Sequence, residues 1–374
     1  MRILLLFDHY PPYVGGAETL NQRIAEYLAL RHRVDLLTRA SAGAPAGCTK
    51  RNGVRIRRLP AVPRLLHTAT ACVAGMACAR CCDLILCATY ASGPAGSWLA
   101  RRYGKPVVLM PYEILGDVWR LFKPATGWLY RCYERYVTSR PYDRFLAISC
   151  YTKARVCATA VSPDRVTVLH PGIDTDLFVP RAADPALRAK LAGDAPFVYG
   201  YFGRPGGSKG LRFLLEAVPA VAAAVPGSRL VLLLGPEPRD EFRRIMRLAR
   251  RPDIAPHVRL HPPVARDDLP ACLACWDAAV VPSLSEGFGF SAAELCAMQV
   301  PVVVTREGSL PEVVSGRVVR VARADSAALA RGIIAAAQGR WETLPPRQFS
   351  WQDFYDGLDR MIEDVCALKR SGAV

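Results

Sequence analysis

The chain has 374 residues, half of them hydrophobic and about a fifth charged, which is the make-up of a globular enzyme with room for two domains. Its formal net charge of +16 suits phosphorylated substrates, an anionic membrane or nucleic acid. With no dense Lys/Arg run and no nucleic-acid-binding motif, nucleic acid is not an expected partner.

Residues 2–7 read as a buried strand, because the apolar run at the N-terminus is cut short by Asp8 and is too brief for a signal peptide. A loop with Gly15 and Gly16 follows. Residues 17–30 then carry Leu20, Ile24, Tyr27 and Leu28 at helical spacing, and 34–38 form the next strand. Strand, glycine loop, helix, strand is a Rossmann-like opening. Strands are expected at 54–59, 84–87, 106–110, 145–148 and 166–169, with a helix over 65–80. The most apolar long stretch, 69–100, is broken by Arg80, Asp83, Gly93 and Pro94, so it is not expected to cross a bilayer. Residues 118–140 mix aromatics with arginines, including Trp119, Arg120, Trp128, Arg131, Arg135 and Tyr136. Such a helical stretch either packs on its domain with its arginines turned to water or rests on an anionic membrane surface.

Residues 179–195 are Pro- and Ala-rich, a linker with a short helix, after which the pattern restarts. A strand at 197–202 ends in Gly203-Arg204-Pro-Gly-Gly-Ser-Lys209-Gly210, followed by a helix over 211–224. Strands at 230–234 and 258–260 bracket a basic helix at 238–250, and 267–275 form another helix. A strand at 276–281 and another at 300–305 flank Pro282-Ser-Leu-Ser-Glu-Gly-Phe-Gly-Phe-Ser-Ala-Ala-Glu-Leu-Cys-Ala-Met298, a loop leading into a helix. The last helix starts near Ser350, with Phe354, Leu358, Ile362 and Cys366 in register. The thirteen cysteines are scattered and odd in number; neither Cys78/Cys81/Cys82 nor Cys272/Cys275 has a second half at zinc-like spacing. They are expected to be reduced, small core residues of a cytosolic protein.

Two constellations carry chemistry. Arg204 and Lys209 flank a flexible loop at the end of the second half's first strand, where α/β proteins bind ligands, and two cations there suit a diphosphate. The spacing is not that of a Walker loop, and no Ser or Thr for Mg²⁺ follows the lysine. The second constellation is Glu286 to Glu294. Gly287 and Gly289 allow close backbone approach at a helix entrance that favours an anion. Two acids beside such a site make sense if they hold neutral hydroxyls. Gly287 to Ala292 also spell a partial dinucleotide fingerprint, but they do not follow a first strand directly, so a nicotinamide site is not expected.

Ser285-Glu-Gly-Phe-Gly-Phe-Ser-Ala-Ala-Glu294 resembles the E-x7-E motif of retaining GT-B glycosyltransferases of family 4. Tyr10-Pro-Pro-Tyr-Val-Gly-Gly-Ala-Glu18, His170-Pro-Gly-Ile-Asp174, the 203–210 loop, Gly308-Ser-Leu-Pro-Glu-Val-Val314 and Phe349-Ser-Trp351 resemble further family segments, in family order. The resemblance implies an α/β GT-B fold of two facing Rossmann-like domains with an interdomain cleft. Its acceptor domain would span 1–178, closed by the helix 350–374, and its nucleotide-sugar domain 179–349. A cytoplasmic enzyme is expected from the cysteine usage, peripheral at the inner membrane face if the basic-aromatic segment 118–140 binds lipid. Such an enzyme would move a hexose-type sugar from a UDP- or GDP-sugar to a glycan or lipid-linked acceptor. By motif, Arg204 and Lys209 would bind the diphosphate, Glu294 the ribose and Glu286 the transferred sugar. The amides of Gly287, Phe288, Gly289 and Phe290 would cradle sugar and phosphate, and Gly15 and Gly16 would contact donor phosphate or acceptor. No Asp-x-Asp motif is present, and metal independence is expected. Many members carry a histidine where this chain has Tyr112, beside Glu113; both are candidates for sugar or acceptor contact. That departure also leaves room for a non-catalytic, nucleotide-sugar-binding partner subunit.

Overall fold

Short apolar runs flanked by glycine or polar loops fold here as parallel strands buried on both faces. The computed structural model describes residues 1–12, 15–41 and 43–370. The chain divides into two compact units, one made of Met1–Gly172 and the stretch from Ser350 onward, the other of Ile173–Phe349.

The first unit runs β1 (Arg2–Leu6), α1 (Gly16–Ala29), β2 (Arg33–Arg39), β3 (Gly47–Arg51), β4 (Val54–Leu59), α2 (Arg64–Cys81), β5 (Leu84–Ala88) and α3 (Ser92–Tyr103). It continues through β6 (Val107–Met110), α4 (Trp119–Phe122), α5 (Gly127–Thr138), β7 (Arg144–Ala147), α6 (Cys150–Cys157) and β8 (Val166–Val168). Among the described residues its sheet has the order β3-β4-β2-β1-β5-β6-β7-β8, parallel except for β3. Every residue of β5 and β6 is buried, as befits the middle of a sheet covered by helices on both faces. Leu4, Leu6, Ile85, Leu99, Leu109 and Phe145 belong to one core cluster. Each such side chain contributes about 1.5–3 kcal/mol by leaving water. The β3–β4 pair is a hairpin turning at Asn52 (φ 45°) and Gly53 (φ 81°), the left-handed pair that a two-residue turn demands. β3, Gly-Cys-Thr-Lys-Arg, is exposed throughout and has no apolar periodicity to mark it in the sequence.

The second unit runs α7 (Pro185–Ala192), β9 (Val198–Gly203), α8 (Leu211–Ala224), β10 (Arg229–Leu234), α9 (Arg239–Ala249), β11 (Val258–His261), α10 (Leu269–Ala274), β12 (Ala278–Val281) and α11 (Phe290–Ala297). Then come β13 (Val302–Thr305), α12 (Leu310–Val313), β14 (Gly316–Val321), α13 (Ser326–Ala337) and β15 (Glu342–Leu344). Its sheet has the order β11-β10-β9-β12-β13-β14-β15, with only β15 antiparallel. α8 and α13 cover one face through Leu214, Leu215, Val218, Leu329 and Ile333.

The closing helix α14 (Trp351–Arg370) belongs to the first unit. Tyr355 stacks on Tyr27 with ring centroids 4.0 Å apart, and Asp359 accepts hydrogen bonds from Tyr27 and Arg31. Residues 371–374 of the expected 350–374 helix lie outside the described residues. The expected boundary after residue 178 is displaced to Gly172/Ile173. Phe178 is 1% exposed and Asp174 is bonded to Arg266, so the segment from 173 to 178 packs with the second unit. None of the thirteen cysteines is joined in a disulfide; Cys82, Cys87, Cys272, Cys275, Cys296 and Cys366 are buried, whereas Cys48, Cys81, Cys132 and Cys150 are exposed. No helix among the described residues is long and apolar enough to cross a membrane.

Candidate active site

In the second unit the chain order reverses between β9 and β12, since β10 and β11 lie on one side of β9 and β12 and β13 on the other. β9 pairs with β12 only at Tyr199 and Gly200, then runs on to Gly203. Beyond that point the two strands lead into separate loops, and this is where an open parallel sheet forms a crevice. The loop 203–210 leaves β9 and the loop 282–289 leaves β12.

The two loops are locked together. Leu284 N–H donates to the Ser208 carbonyl at 2.7 Å. Gly210 takes φ 67°, and a Cβ there would lie 1.9 Å from the Pro282 carbonyl oxygen, so only glycine fits. Lys209 donates to both carboxylate oxygens of Glu286, at 2.8 and 2.9 Å, and Ser283 Oγ donates to Oε1 at 2.7 Å. The Glu286 carbonyl accepts from Ser309 N–H at 3.0 Å and Ser309 Oγ at 3.2 Å. A Cβ on Gly308 would lie 2.4 Å from the Glu286 backbone nitrogen. Glu286 is thereby fixed in side chain and backbone, at 6% exposure. Arg204 is half-buried at the start of the same loop, its carbonyl accepting from Tyr201 OH at 2.9 Å.

α11 starts after Gly289 (φ 89°), which leaves the first N–H groups of the helix without intrahelical partners. The side chain of Phe288 is buried edge-on against Phe290 and Phe349, at 5.0 and 5.1 Å between centroids.

Glu294 lies in the second turn of α11 at 4% exposure. Burial pushes its carboxyl up to about 7, against the opposing pull of Arg266. Arg266 Nη2 donates to Glu294 Oε1 at 3.0 Å and to Asp174 Oδ2 at 3.1 Å, and its guanidinium lies 5.0 Å from the Phe178 ring centroid. Sequence reasoning missed Arg266, Ser283 and Ser309. Arg266 precedes Asp267 and Asp268 and looks like part of a solvated charged turn; its place just after β11, at the ligand-binding end of the sheet, was the available signal.

The structure therefore brings Arg204, Lys209, Glu286, Gly287, Phe288, Gly289, Phe290 and Glu294 onto two loops and one helix at one end of one sheet. It also shows that Glu286 and Lys209 are bonded to each other, whereas the sequence suggested that the acids were left free for hydroxyls by a separate cation pair.

The remaining candidates lie in the first unit. Gly15 caps α1 and its carbonyl accepts from Thr19 N–H at 2.9 Å, with Gly16 the first helical residue; Tyr13 and Val14 of the expected glycine loop lie outside the described residues. Tyr112 follows β6; its hydroxyl donates to Asn21 Oδ1, and Asn21 Nδ2 donates to the His9 carbonyl at 2.8 Å. Burial raises the Tyr112 hydroxyl well above its ordinary value, so it stays a neutral donor. Tyr112 is thus part of an internal network joining the ends of β1 and β6. Glu113 is half-buried beside it.

Residues 14–177 match the family described as Glycosyltransferase Family 4, and residues 196–338 match Glycosyl transferases group 1. A D-inositol 3-phosphate glycosyltransferase of Mycobacterium marinum is 28% identical over 419 aligned positions, covering 99% of this chain and 88% of that protein. Its counterpart in Mycobacterium bovis BCG is 30% identical over 83% of this chain and 69% of its own length. A GDP-mannose-dependent alpha-(1-6)-phosphatidylinositol monomannoside mannosyltransferase of Mycobacterium tuberculosis is 33% identical, over 57% of this chain and 61% of its own. Among solved structures, sucrose-phosphate synthase from Thermosynechococcus elongatus superimposes with TM-score 0.78 at 19% identity, over 98% of this chain and all of that one. The Anabaena HepE protein in complex with UDP and glucose gives TM-score 0.71 at 18% identity, over 97% of this chain and all of that one. At these identities the structures speak for the GT-B fold alone.

Proposed function

The chain belongs to the group 1, family 4 glycosyltransferases, and on that premise we propose that it transfers a hexose-type sugar from a UDP- or GDP-sugar to a glycan or lipid-linked acceptor, with retention at the anomeric carbon. That it is a transferase moving sugar from a nucleotide sugar follows from the family; the donor, acceptor and stereochemistry are the proposal.

The observation that carries it is the Lys209–Glu286 pair where β9 and β12 part, beside the open N-terminus of α11. Arg204 and Lys209 take the diphosphate, and the N–H groups of Gly287 to Phe290 take phosphate and sugar oxygens. As the bond from the anomeric carbon to phosphate breaks, negative charge grows on the leaving oxygen, and a fixed cation beside it lowers the barrier. Lys209 is held ready by Glu286, so little reorganisation is needed. Glu286 keeps lone pairs for hydroxyls of the transferred sugar, and Glu294 takes the ribose hydroxyls. The acceptor hydroxyl attacks from the face the phosphate leaves. Its oxygen bonds to the anomeric carbon, its proton passes to a phosphate oxygen, and the nucleoside diphosphate departs. No metal is required in this scheme.

Gly15, Gly16, Tyr112 and Glu113, at the C-terminal ends of strands in the first unit, are assigned to phosphate, acceptor or sugar contact. α4 and α5 expose Leu121, Trp128, Leu129 and Tyr136 alongside Arg120, Lys123 and Arg135. These residues support docking on an anionic membrane, with the cytoplasmic leaflet as the place of action.

The test is a thermal-shift screen of nucleotide sugars with and without EDTA, followed by NMR of the product's anomeric configuration. A hit at a hundredfold excess over Kd stabilises the fold by about 2.7 kcal/mol. Stabilisation by no UDP- or GDP-sugar, loss of turnover in EDTA, or an inverted product would each overturn the corresponding part.

A further inference from the structure

Glu294 is a carboxylate that burial works against. A buried charge is costly unless it is paired, and the countercharge acting on Glu294 is Arg266, in the loop between β11 and α10. One guanidinium nitrogen contacts both Glu294 and Asp174. The arginine side chain is 41% exposed, the Asp174 side chain 17% and the Glu294 side chain 5%. The Phe178 ring packs against the guanidinium from the segment that also supplies Asp174. Arg266 is thus pinned on one side by a carboxylate and a ring, and its reach toward α11 is set by them.

We propose that Arg266 is a positioning residue for the donor: anchored by Asp174, it holds the Glu294 carboxylate in place as the acceptor for the vicinal hydroxyls of the nucleotide sugar. This rests on the assignment of Glu294 to those hydroxyls. A hydroxyl bond to an ionised carboxylate is roughly twice as strong as one to a neutral group. Burial lifts Glu294 to about 7, so its charge at neutral pH depends on the nearby cation. Arg266 and Asp174 are the charged groups acting on it among the described residues, the first favouring ionisation and the second opposing it. Without Arg266 the carboxyl stays protonated to higher pH, and each unit of upward shift cuts its ionised fraction at neutral pH about tenfold.

The experiment compares wild type, Arg266→Met, Arg266→Lys and Asp174→Asn by two readouts from pH 5.5 to 9. One is thermal melting of the ligand-free protein, and the other is titration with UDP-glucose and GDP-mannose. Wild-type affinity should fall as pH drops through about 7. Arg266→Met should shift that midpoint upward by about one unit or more, weaken binding about tenfold at neutral pH and recover at pH 9. Its ligand-free melting profile should shift the same way. Arg266→Lys, which keeps a point charge, should restore most of the midpoint, and Asp174→Asn should weaken binding at pH 9, where Glu294 is ionised in every variant, by loosening the anchor. The inference is overturned if Arg266→Met lowers affinity equally at all pH values and leaves the melting profile unmoved, or if lysine rescues nothing. Failure of wild type to bind either sugar nucleotide would instead sink the assignment of Glu294 to donor hydroxyls, while the melting profiles still report whether Arg266 governs Glu294.

Discussion

Glu286 and Glu294 are eight positions apart and nearly equally hidden, yet their surroundings give them different work. Glu286 is gripped by a lysine and a serine and its backbone is tied to Ser309, so it is a fixed point on which Lys209 is aimed. Replacing Lys209 by Ala removes the cation proposed to face the leaving phosphate and leaves a buried carboxylate without its countercharge. The expected loss in kcat is about 10²–10³-fold, with a smaller change in donor affinity, measured by steady-state kinetics against isothermal titration. Glu294 has its carboxyl raised to about 7 by burial. The folded protein therefore binds its proton more tightly than the unfolded chain does. Its contribution to stability is full below the ordinary glutamate range near 4.5 and is lost as pH rises through about 7. Glu294→Gln should flatten that part of the stability–pH curve, by about 3 kcal/mol across the window at most. Urea unfolding of both proteins at pH 4.5 and 7.5 checks this, and an unchanged slope would place the proton elsewhere.

At the scale of elements, loops 203–210 and 282–289 behave as one piece, because Gly210 lies against the Pro282 carbonyl where no side chain fits and Leu284 N–H is bonded to the Ser208 carbonyl; Gly308 brings the loop after β13 against Glu286 in the same way. Gly210→Ala should cost about 2 kcal/mol or more, from strain at φ 67° and the clash with Pro282, and should depress donor binding with it. A melting temperature equal to wild type would show that the loops can part cheaply. The glycines of both loops were legible in the sequence, as were both glutamates and the two cations, because each sits at a fixed place after an apolar strand. The bond between Lys209 and Glu286 was not, since 77 residues separate them and nothing local encodes the approach. α3 and β3 escaped for opposite reasons. α3 is buried along most of Ser92 to Ala100 and shows no polar face to mark its period, whereas β3 is exposed throughout. In α5 the buried face is Glu134, Val137 and Thr138. Glu134 accepts from Tyr90 OH and from the N–H groups of Leu115 and Gly116, so a carboxylate, together with Tyr130 stacked on Trp119 and Tyr133 donating to the Tyr90 carbonyl, fastens this helix to its unit. The outward Trp128 and Leu129 are then free to meet lipid. Trp128→Ser with Leu129→Ser should abolish co-sedimentation with anionic vesicles at low salt and leave nucleotide-sugar binding intact; wild-type protein that stays in solution would end the membrane proposal.

For the whole molecule, the recurrence of strand, glycine loop and helix marks two α/β units in the sequence itself. The join between them was legible only to within six residues, because Phe178 sits in the short apolar run Leu177-Phe178-Val179 and its partner, Arg266, lies far along the chain. The last helix matters most at this scale. Tyr355, Asp359 and Gly357 of α14 close against Tyr27, Arg31 and Leu169, all of the first unit. One unit is therefore an uninterrupted run of sequence, and the other is assembled from two runs on either side of it. During synthesis the second unit is complete while the first still lacks its final helix, with the surface around Tyr27 and Leu169 uncovered. The order in which the units leave the ribosome is thus the reverse of the order in which they can finish folding. A nascent chain halted anywhere between Phe349 and the end of α14 would carry a finished second unit beside a first one still open to chaperones and proteases.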